Sequence, residues 1–368
     1  MRAVPHLLTH RDFIKIDKNY EAAASVVNLT YVSDKEAGIT RVKKGNGFSY
    51  TYKGNTVRDP KTLERIKKLV IPPAWTKVWI CPTSEGHIQA TGYDARNRKQ
   101  YRYHNRWSAL QQETKFHRLI EFGKVLPELR KRLQKDLDQP GFPVSKIMAI
   151  VLSLMERTFI RIGNEGYEKQ YGSYGLTTLK DNHVDIKGSE VTFSFKGKKG
   201  VYHKVKLKSK KFAKLVRQCK AIPGKELFQY YDENGEHRKI DSGQVNQYLK
   251  ECLQMDFTTK DFRTWAGTLS MLQALRAAAK CEKKSDYKKN IVAAMQEVSQ
   301  KLGNTVAVCK KYYVHPEIVN LYNSDTLHQY FETGHIDSKE KQYGLSSDEE
   351  ILMKILSVVQ KSKVEITC

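Results

Sequence analysis

The repeat period of the apolar residues changes near Trp107, and this change limits the possible folds more than any other feature of the sequence. Before Trp107, short stretches such as Phe48–Tyr52 are bounded by Gly and Asn, which is typical of β-strands. After Trp107 the apolar residues recur with a helical period, most clearly from Lys146 to Ile160. The pattern therefore predicts a small β-rich domain followed by a larger, mostly helical one, and 368 residues suffice for both.

A short β region interrupts the helical part of the chain. Apolar residues alternate along residues 190–196 and again along 200–208, and the connection between them is Gly197-Lys198-Lys199-Gly200. Alternation in two neighbouring stretches with a Gly-flanked connection predicts an antiparallel hairpin with Lys198 at its tip. The predicted fold class is therefore α+β, with a short antiparallel sheet inside the mostly helical domain.

Helix signals divide the rest of the chain. The apolar helix over Lys146–Ile160 is expected to end at Gly163, and Pro316 is expected to stop the last helix before the tail. Ser347 precedes Glu350 by three residues, the spacing of a capping box, which predicts a further helix there. The helices predicted between Gly163 and Pro316 are 242–253, 260–280, 285–302 and 305–313. We therefore divide the chain into an N-terminal extension (1–37), a β-rich domain (38–106), a larger helical domain (107–320) and its helical tail (321–368).

The net charge of the chain predicts a polyanionic partner. The whole chain carries +24, and the residues from Leu321 onward carry 5 basic against 8 acidic side chains, hence +27 for residues 1–320. Nucleic acid is the partner that we expect, because phosphates neutralised by Lys and Arg release their counterions. A solvated basic surface without any partner is the alternative.

Other sequence features restrict the location and the cofactors. No stretch approaches the roughly 20 apolar residues that cross a bilayer, and the N-terminus lacks the apolar core of a signal peptide. The six cysteines are far apart without a CxxC pair, as expected of free thiols in a reducing compartment. No GxxxxGK[ST] or HExxH motif and no two-metal carboxylate cluster occurs. We predict a cytoplasmic protein, associated with the nucleoid if bacterial, that needs no ATP, metal or other cofactor and binds no membrane.

Arginine and lysine residues stand where phosphodiester chemistry could use them. Arg161 lies at the end of the apolar helix, Lys198 at the hairpin tip, and Arg263 in the first turn of a predicted helix. Guanidinium groups can hold two non-bridging phosphate oxygens, and a lysine can protonate a leaving 5′-oxygen. Taken singly, each residue also fits an ordinary role as a helix cap or a solvent-exposed turn. Only their combination is informative.

Together these segments resemble the small type IB DNA topoisomerases of the poxvirus-like and bacterial branch, over residues 38–320. The first Arg of that family lies in an Ile-Arg-x-Gly segment, matched by Arg161, and its Lys follows a Gly at a hairpin turn, matched by Lys198. The second Arg lies in a Lys-x-x-Arg-Thr motif, matched by Arg263 with Lys260 beside it, which we expect to bind DNA. The resemblance implies that these three catalytic residues act on a scissile phosphate.

The same resemblance supplies two further catalytic positions. A Gly-[His/Asn]-Thr motif is matched at Asn304, and the nucleophile nine residues later is matched by Tyr313. Poxviral enzymes have His at the first position; Asn can donate a hydrogen bond there but cannot become a cation. Tyr312 is the competing nucleophile, and because neighbouring helical residues point about 100° apart, only one of the two can face the phosphate. The spacing favours Tyr313.

The stretch Gly92–Tyr103 resembles the DNA-reading strand of the family. Gln100 carries an amide that can pair with adenine, and Tyr101 and Tyr103 project to one face of a strand. The alternative is an ordinary half-buried strand with basic flanks. The residues that we expect to hold phosphates are Arg96, Arg98, Lys99, Arg102 and Arg106.

The resemblance implies an isomerase that relaxes supercoiled double-stranded DNA. It would cleave one strand through a covalent 3′-phosphotyrosine, let the duplex swivel and religate it, without ATP or metal, as a monomer that clamps DNA. The implied catalytic fold is shared with the tyrosine recombinases, which are the first alternative; they usually carry His-x-x-Arg where this chain has Lys260-Asp261-Phe262-Arg263. A DNA-clamping protein without catalytic activity is the second alternative.

Overall fold

The computed structural model describes residues 7–278, 281–332, 343–361 and 364–366. The chain forms two compact units. Unit 1 comprises residues 1–118 and 360–368, and unit 2 comprises residues 119–359. The α+β class predicted from the sequence is confirmed, with a β-rich first unit and a mostly helical second one. The finer division at residues 37, 106 and 320 stays a prediction.

Unit 1 is built around an antiparallel sheet of six strands. Its elements in chain order are β1 (Leu7–Leu8), α1 (His10–Ile16), α2 (Tyr20–Val26), β2 (Ile39–Lys44), β3 (Gly47–Tyr52), β4 (Asn55–Thr56), α3 (Pro60–Lys68), β5 (Thr76–Ile80), β6 (Ile88–Tyr93), β7 (Lys99–Tyr103), the start of α4 (Asn105–Leu137) and β13 (Val364–Glu365). The order of the sheet is β4-β3-β2-β5-β6-β7, and β1 pairs with β13. The strand β7, which carries the predicted DNA-reading residues, therefore lies at the edge of the sheet.

Residues 7–26 form structure that their sequence did not indicate. The helices α1 and α2 have only seven residues each, and they bury Phe13, Ala23 and Ala24 against Trp107 and Leu110 of α4. Helices this short gain most of their stability from tertiary packing. The local pattern is too brief to predict them, although Asn19 and Thr9 cap them as usual.

Unit 2 is mostly helical and has one large core. Its elements are the remainder of α4, α5 (Val144–Thr158), α6 (Glu165–Tyr171), β8 (Val184–Lys187), β9 (Glu190–Lys196), β10 (Tyr202–Lys208), α7 (Lys210–Lys220), β11 (Gln229–Tyr231), β12 (His237–Lys239), α8 (Ser242–Leu253), α9 (Thr259–Ala277), α10 (Lys284–Leu302), α11 (Val306–Tyr312), α12 (Pro316–Asn323), α13 (Gln329–Glu332) and α14 (Ser347–Lys361). The predicted helix 260–280 corresponds to α9, and its predicted end at Lys280 lies outside the described residues. No helix within the described ranges is long and apolar enough to cross a membrane.

One predicted helix end was wrong, and one proline has a further role. The helix α5 ends at Thr158 and not at Gly163, because Phe159 itself adopts the left-handed conformation (φ 57°) and donates its backbone N–H to the carbonyl of Met155. Pro316 does not merely stop a helix; it begins α12, since a proline at the first helical position gives up no hydrogen bond. In consequence Arg161 lies after the end of α5, in a segment that is neither helix nor strand.

The predicted hairpin is confirmed. The strand β9 pairs with β10 in an antiparallel register that begins with Glu190 opposite Lys208 and ends with Lys196 opposite Tyr202. The strand β8 completes a three-stranded antiparallel sheet. In the connection, Gly197 donates to the carbonyl of Val201 (2.7 Å) and Lys199 takes the left-handed conformation (φ 63°). Lys198 is therefore exposed at the turn.

The capping box of α14 lies one residue earlier than predicted. Ser346, not Ser347, pairs with Glu349: the backbone N–H of Ser346 donates to the Glu349 carboxylate (2.8 Å), and that of Glu349 donates to the Ser346 hydroxyl. The Glu349 carboxylate also accepts hydrogen bonds from Arg130 of α4 (2.7 Å) and from the indole of Trp265 in α9 (3.0 Å). Burial of this carboxylate among its partners selects the register of the cap.

Candidate active site

Arg263 is placed by the helix α9 in the interior of unit 2. The side chain is 5 % exposed, and its guanidinium donates to the backbone carbonyls of Phe159, just after α5, and of Leu302 at the end of α10 (2.7 Å). Its Nε is buried and has no hydrogen-bond partner among the described residues. A buried guanidinium that is held by two carbonyls but keeps one free donor is suited to an anion.

Arg161 and Asn304 are held together by a hydrogen bond. Nη2 of Arg161 donates to the Asn304 side-chain oxygen at 2.5 Å, and to the carbonyl of Gly303 at 3.3 Å. Asn304 lies after Gly303, which ends α10 in the left-handed conformation, and before the start of α11. The hydrogen bond requires the amide oxygen of Asn304 to face Arg161; the NH₂ group donates to the Leu302 carbonyl (3.5 Å) and keeps its second N–H as a donor for another ligand.

Tyr313 caps the C-terminal end of α11 and packs against α9. Its carbonyl accepts from the Thr268 hydroxyl (3.2 Å), and its backbone approaches Gly267 so closely that a Cβ on Gly267 would lie 2.5 Å from that carbonyl oxygen. This docking places the phenol ring over the guanidinium of Arg263, with 5.2 Å from Cζ to the ring centroid. Tyr312, by contrast, is 44 % exposed. Of the two tyrosines, the structure brings Tyr313 to the arginines.

Lys198 lines a small pocket together with Arg161. The same pocket is lined by His203 of β10 and by Lys301 and Leu302 of α10. Lys198 is exposed, so its chain can reach a ligand at the mouth of the pocket. The hairpin connection and the end of α10 are therefore neighbours, although about a hundred residues separate them in the sequence.

The electrostatics of the pocket favour a bound anion. Burial, and then the charge of Arg263, lower the pKa of Arg161 to about 10. Burial also lowers the pKa of Arg263. Neither guanidinium has a carboxylate partner within the ranges that the structure describes. Two desolvated cations without a counter-charge repel each other, and a phosphate between them would relieve that repulsion.

These residues can act together on a phosphodiester. Two arginines and an amide donor would hold the non-bridging oxygens and stabilise the charge that grows in the transition state. A tyrosine held over a guanidinium can supply an oxygen nucleophile, and an exposed lysine at the edge of the pocket can supply a proton. No group of three His, Cys, Asp or Glu side chains that could hold a metal ion occurs in the described part of the chain.

The predicted DNA-reading residues lie on β7 in unit 1. The rings of Tyr101 and Tyr103 are stacked, with centroids 5.7 Å apart, and each is 43 % exposed. The Gln100 amide donates to the carboxylate of Asp94 (3.1 Å), which leaves its oxygen free to accept. Asp94 therefore orients the partly buried amide on the edge strand.

Several of the predicted phosphate-binding cations are paired within unit 1. Arg98 pairs with Asp94 (2.6 Å), Lys99 with Asp34 (2.6 Å) and Arg106 with Glu85. Arg102 donates to the carbonyl of Val70 (2.9 Å), Arg96 donates its backbone N–H to Asp94 (2.9 Å), and Lys260 is exposed near the start of α9 in unit 2. A phosphate that binds a paired cation has to compete with its carboxylate, which weakens that contact.

The sequence interpretation missed several residues of these two sites. Gly267 and Thr268 dock Tyr313, and His203 lines the pocket of Lys198. In unit 1, Lys61 and Lys68 of α3 line a groove that also contains Arg102 and Tyr103. His203 stands in register with Val205 and Leu207 on the less exposed face of β10, and a polar residue at such a position could have indicated it. Lysines on an amphipathic helix, by contrast, ordinarily indicate only a solvated face.

Comparison with known proteins gives consistent matches. Residues 104–334 match the family model of the eukaryotic DNA topoisomerase I catalytic core, and residues 47–94 match that of the bacterial DNA topoisomerase IB N-terminal domain. The chain is 34% identical over 296 residues to DNA topoisomerase 1B of Acanthamoeba polyphaga mimivirus, which covers 78% of this chain and 88% of the viral protein. Identity to DNA topoisomerase 1B of Vaccinia virus (strain Copenhagen) is 22% over 233 residues, which is 62% of this chain and 71% of that protein. DNA topoisomerase 1 of Drosophila melanogaster is 25% identical over 171 residues, covering 44% of this chain and 16% of that protein.

Proposed function

The chain belongs to the type IB DNA topoisomerase family, an ATP-independent class of isomerases that relax supercoiled DNA, and on that premise we propose that Tyr313 is its nucleophile. The observation that supports this assignment is the convergence of Arg161, Arg263, Asn304 and Tyr313, from four separate segments, around one cationic pocket. The Tyr312 side chain is 44 % exposed, whereas the Tyr313 ring packs over Arg263.

In the proposed reaction the phenolic oxygen of Tyr313 attacks the scissile phosphorus. A bond from that oxygen to phosphorus forms, the bond from phosphorus to the 5′-oxygen breaks, and the tyrosine proton passes to solvent. Arg161 and Arg263 bind the non-bridging oxygens, and the NH₂ group of Asn304 donates to one of them. Lys198 gives its proton to the leaving 5′-oxygen. Religation reverses each step after the duplex has swivelled, so that neither ATP nor a metal ion enters the cycle.

DNA contact by unit 1 is the second part of the proposal. Gln100, Tyr101 and Tyr103 read the groove from the edge strand β7, because an edge strand leaves its outer side open to a ligand. Lys260 and the basic residues around β7 bind phosphates. We infer that the chain works as a monomer that clamps duplex DNA, and that residues 38–106 and 107–320 are the DNA-reading and catalytic domains.

Relaxation of negatively supercoiled plasmid in the presence of EDTA and without ATP tests the activity. The expected product is a ladder of relaxed topoisomers. Strand exchange between two specific sites would favour a tyrosine recombinase, and binding without relaxation would favour a DNA clamp without catalytic activity. A fluorescent fusion in the source cells would test the predicted cytoplasmic, DNA-associated location.

Two single substitutions test the nucleophile. Tyr313→Phe should abolish covalent capture of DNA on a denaturing gel and keep noncovalent binding, because only the hydroxyl is removed. Tyr312→Phe is the matched control and should still form the adduct. The assignment is wrong if Tyr312→Phe loses the adduct and Tyr313→Phe retains it.

A further inference from the structure

The imidazole of His203 lies between the two loops that carry Lys198 and Asn304. His203 belongs to β10, and its ring stacks on Phe195 of the paired strand β9 with centroids 5.1 Å apart and 13° between the planes. The ring lines the same pocket as Arg161 and Lys198. The sheet therefore presents one face of a flat side chain to the catalytic pocket.

Two glycines allow this ring to approach both loops closely. A Cβ on Gly197 would lie 2.5 Å from Cδ2 of His203, and a Cβ on Gly303 would lie 2.0 Å from Cε1. Real Cβ atoms essentially never come within 3.0 Å of another atom, so any side chain at either glycine would displace the ring or the loop. Gly197 directly precedes Lys198, and Gly303 directly precedes Asn304. The ring is thus a spacer that touches the backbone just before each of these two residues.

The ring of His203 makes its contacts by van der Waals packing. Within the part of the chain that the structure describes, neither ring nitrogen of His203 has a hydrogen-bond partner. Burial, and then the charges of Arg161 and Arg263, lower the pKa of His203, which favours the neutral imidazole. A neutral planar ring can pack against a cationic pocket without adding a further repelling charge.

We propose that His203 is a positioning residue that sets the distance between the Lys198 hairpin and the Arg161–Asn304 pair. The inference rests on the proposed role of Lys198 as the general acid. With the ring in place, the Lys198 amine is kept within reach of the 5′-oxygen of a phosphate held by Arg161 and Asn304. Without the ring, the hairpin connection is no longer held at a fixed distance from Gly303. Proton transfer to the 5′-oxygen then becomes the rate-limiting step of cleavage.

Two DNA substrates separate this role from a general loss of structure. The first has an ordinary scissile phosphodiester, and the second has a 5′-bridging sulfur, which leaves without a proton. His203→Ala should slow single-turnover cleavage of the first substrate by about 10²-fold, the usual scale for a misplacement of about 1 Å, and should cleave the second at nearly the wild-type rate. In the double variant with Lys198→Ala, the loss of His203 should add no further slowing, since both substitutions disable one step. Tyr202→Ala, which alters a 68 % exposed neighbour on the same strand, is the matched control and should cleave both substrates normally.

Gly197→Ala tests the spacer without removing any side chain. Gly197 has φ −93° and ψ −165°, an extended conformation that alanine adopts, so the only strain is the collision with the His203 ring. This variant should show the same selective slowing, and combining it with His203→Ala should make it no slower than His203→Ala alone. If His203→Ala loses noncovalent DNA binding and is therefore unfolded, Gly197→Ala alone decides the question.

Three results would overturn the inference: a wild-type rate for His203→Ala, equal slowing of both substrates by a variant that still binds DNA, or multiplication of the His203→Ala and Lys198→Ala effects. The proposed function is tested separately by Lys198→Ala. If Lys198→Ala slows cleavage of both substrates equally, the general-acid role is refuted. If Lys198→Ala slows only the ordinary substrate but His203→Ala slows both, only the positioning role of His203 is refuted.

Discussion

Substitution of Asn304 by alanine removes the side-chain oxygen that holds Arg161 in the active site. The distance from Nη2 of Arg161 to that oxygen is 2.5 Å, and among the described residues this nitrogen otherwise donates to the Gly303 carbonyl alone, at 3.3 Å. Hydrogen bonds to charged groups contribute about 1.5–3 kcal/mol. If the whole of this contribution is needed to present Arg161 to the transition state, cleavage should slow by about 10- to 150-fold.

Single-turnover cleavage of a suicide substrate measures this loss directly. The enzyme is in excess over a duplex whose downstream fragment, which carries the new 5′-hydroxyl, dissociates after cleavage, and the covalent adduct is separated on a denaturing gel. Asn320→Ala is the matched control, because Asn320 of α12 makes one exposed hydrogen bond to Glu317 and lies outside the pocket. The control should cleave at the wild-type rate.

An aspartate at position 304 distinguishes the two functions that we assign to the amide. Asn304→Asp keeps an oxygen that accepts from Arg161 but replaces the NH₂ donor with a negative charge that repels the phosphate. We therefore expect Asn304→Asp to be at least as slow as Asn304→Ala. The reasoning is refuted if Asn304→Ala cleaves within about threefold of wild type, since that corresponds to less than 1 kcal/mol, or if Asn304→Asp is fully active.

Three further substitutions probe other parts of the chain. Gly267→Ala would place a Cβ 2.5 Å from the carbonyl oxygen of Tyr313, so covalent-adduct formation should slow by about 10²-fold while filter binding of DNA is unchanged; normal adduct formation would contradict the docking on α9. Glu349→Gln removes a buried charge beside Arg130 and should lower the free energy of unfolding in urea by about 3 kcal/mol, and an unchanged midpoint would argue against this network. Burial and the charge of His10 lower the pKa of His117 from its ordinary 6.5 to about 4, so between these pH values the unfolded chain binds more protons than the folded one. Stability that is fully present above pH 6.5 should be lost as the pH falls toward 4, and His117→Gln should flatten this dependence in thermal unfolding.

Much of the fold followed from local patterns because the periods were clear. The helix Ser242–Leu253 has the predicted bounds, and the hairpin around Lys198 was visible from alternation and two glycines. The errors lie at helix ends and in short elements. Phe159 in a left-handed conformation ends α5 where glycine would be expected, and the seven-residue helices before Asn28 depend on packing against α4.

The register of the cap at α14 shows why local spacing can mislead. Both Ser346-Glu349 and Ser347-Glu350 have the required three-residue separation, so the sequence alone offers two equivalent caps. The structure uses the first pair because Glu349 is then buried beside Arg130 and Trp265. Contacts with residues far away in sequence thus decided between two local alternatives.

The sequence by itself determined the fold class, the basic character and the chemical types of the candidate catalytic residues, because periodicity, charge and short motifs are all local properties. Only the tertiary structure decided how those residues meet. Tyr313 rather than Tyr312 faces Arg263 because Gly267 lets the end of α11 approach α9. His203 reaches the end of α10 because two glycines leave room for its ring. The approaches of Gly267 to Tyr313 and of Gly303 to His203 arise from the packing of segments that are distant in the sequence, and no local pattern records them.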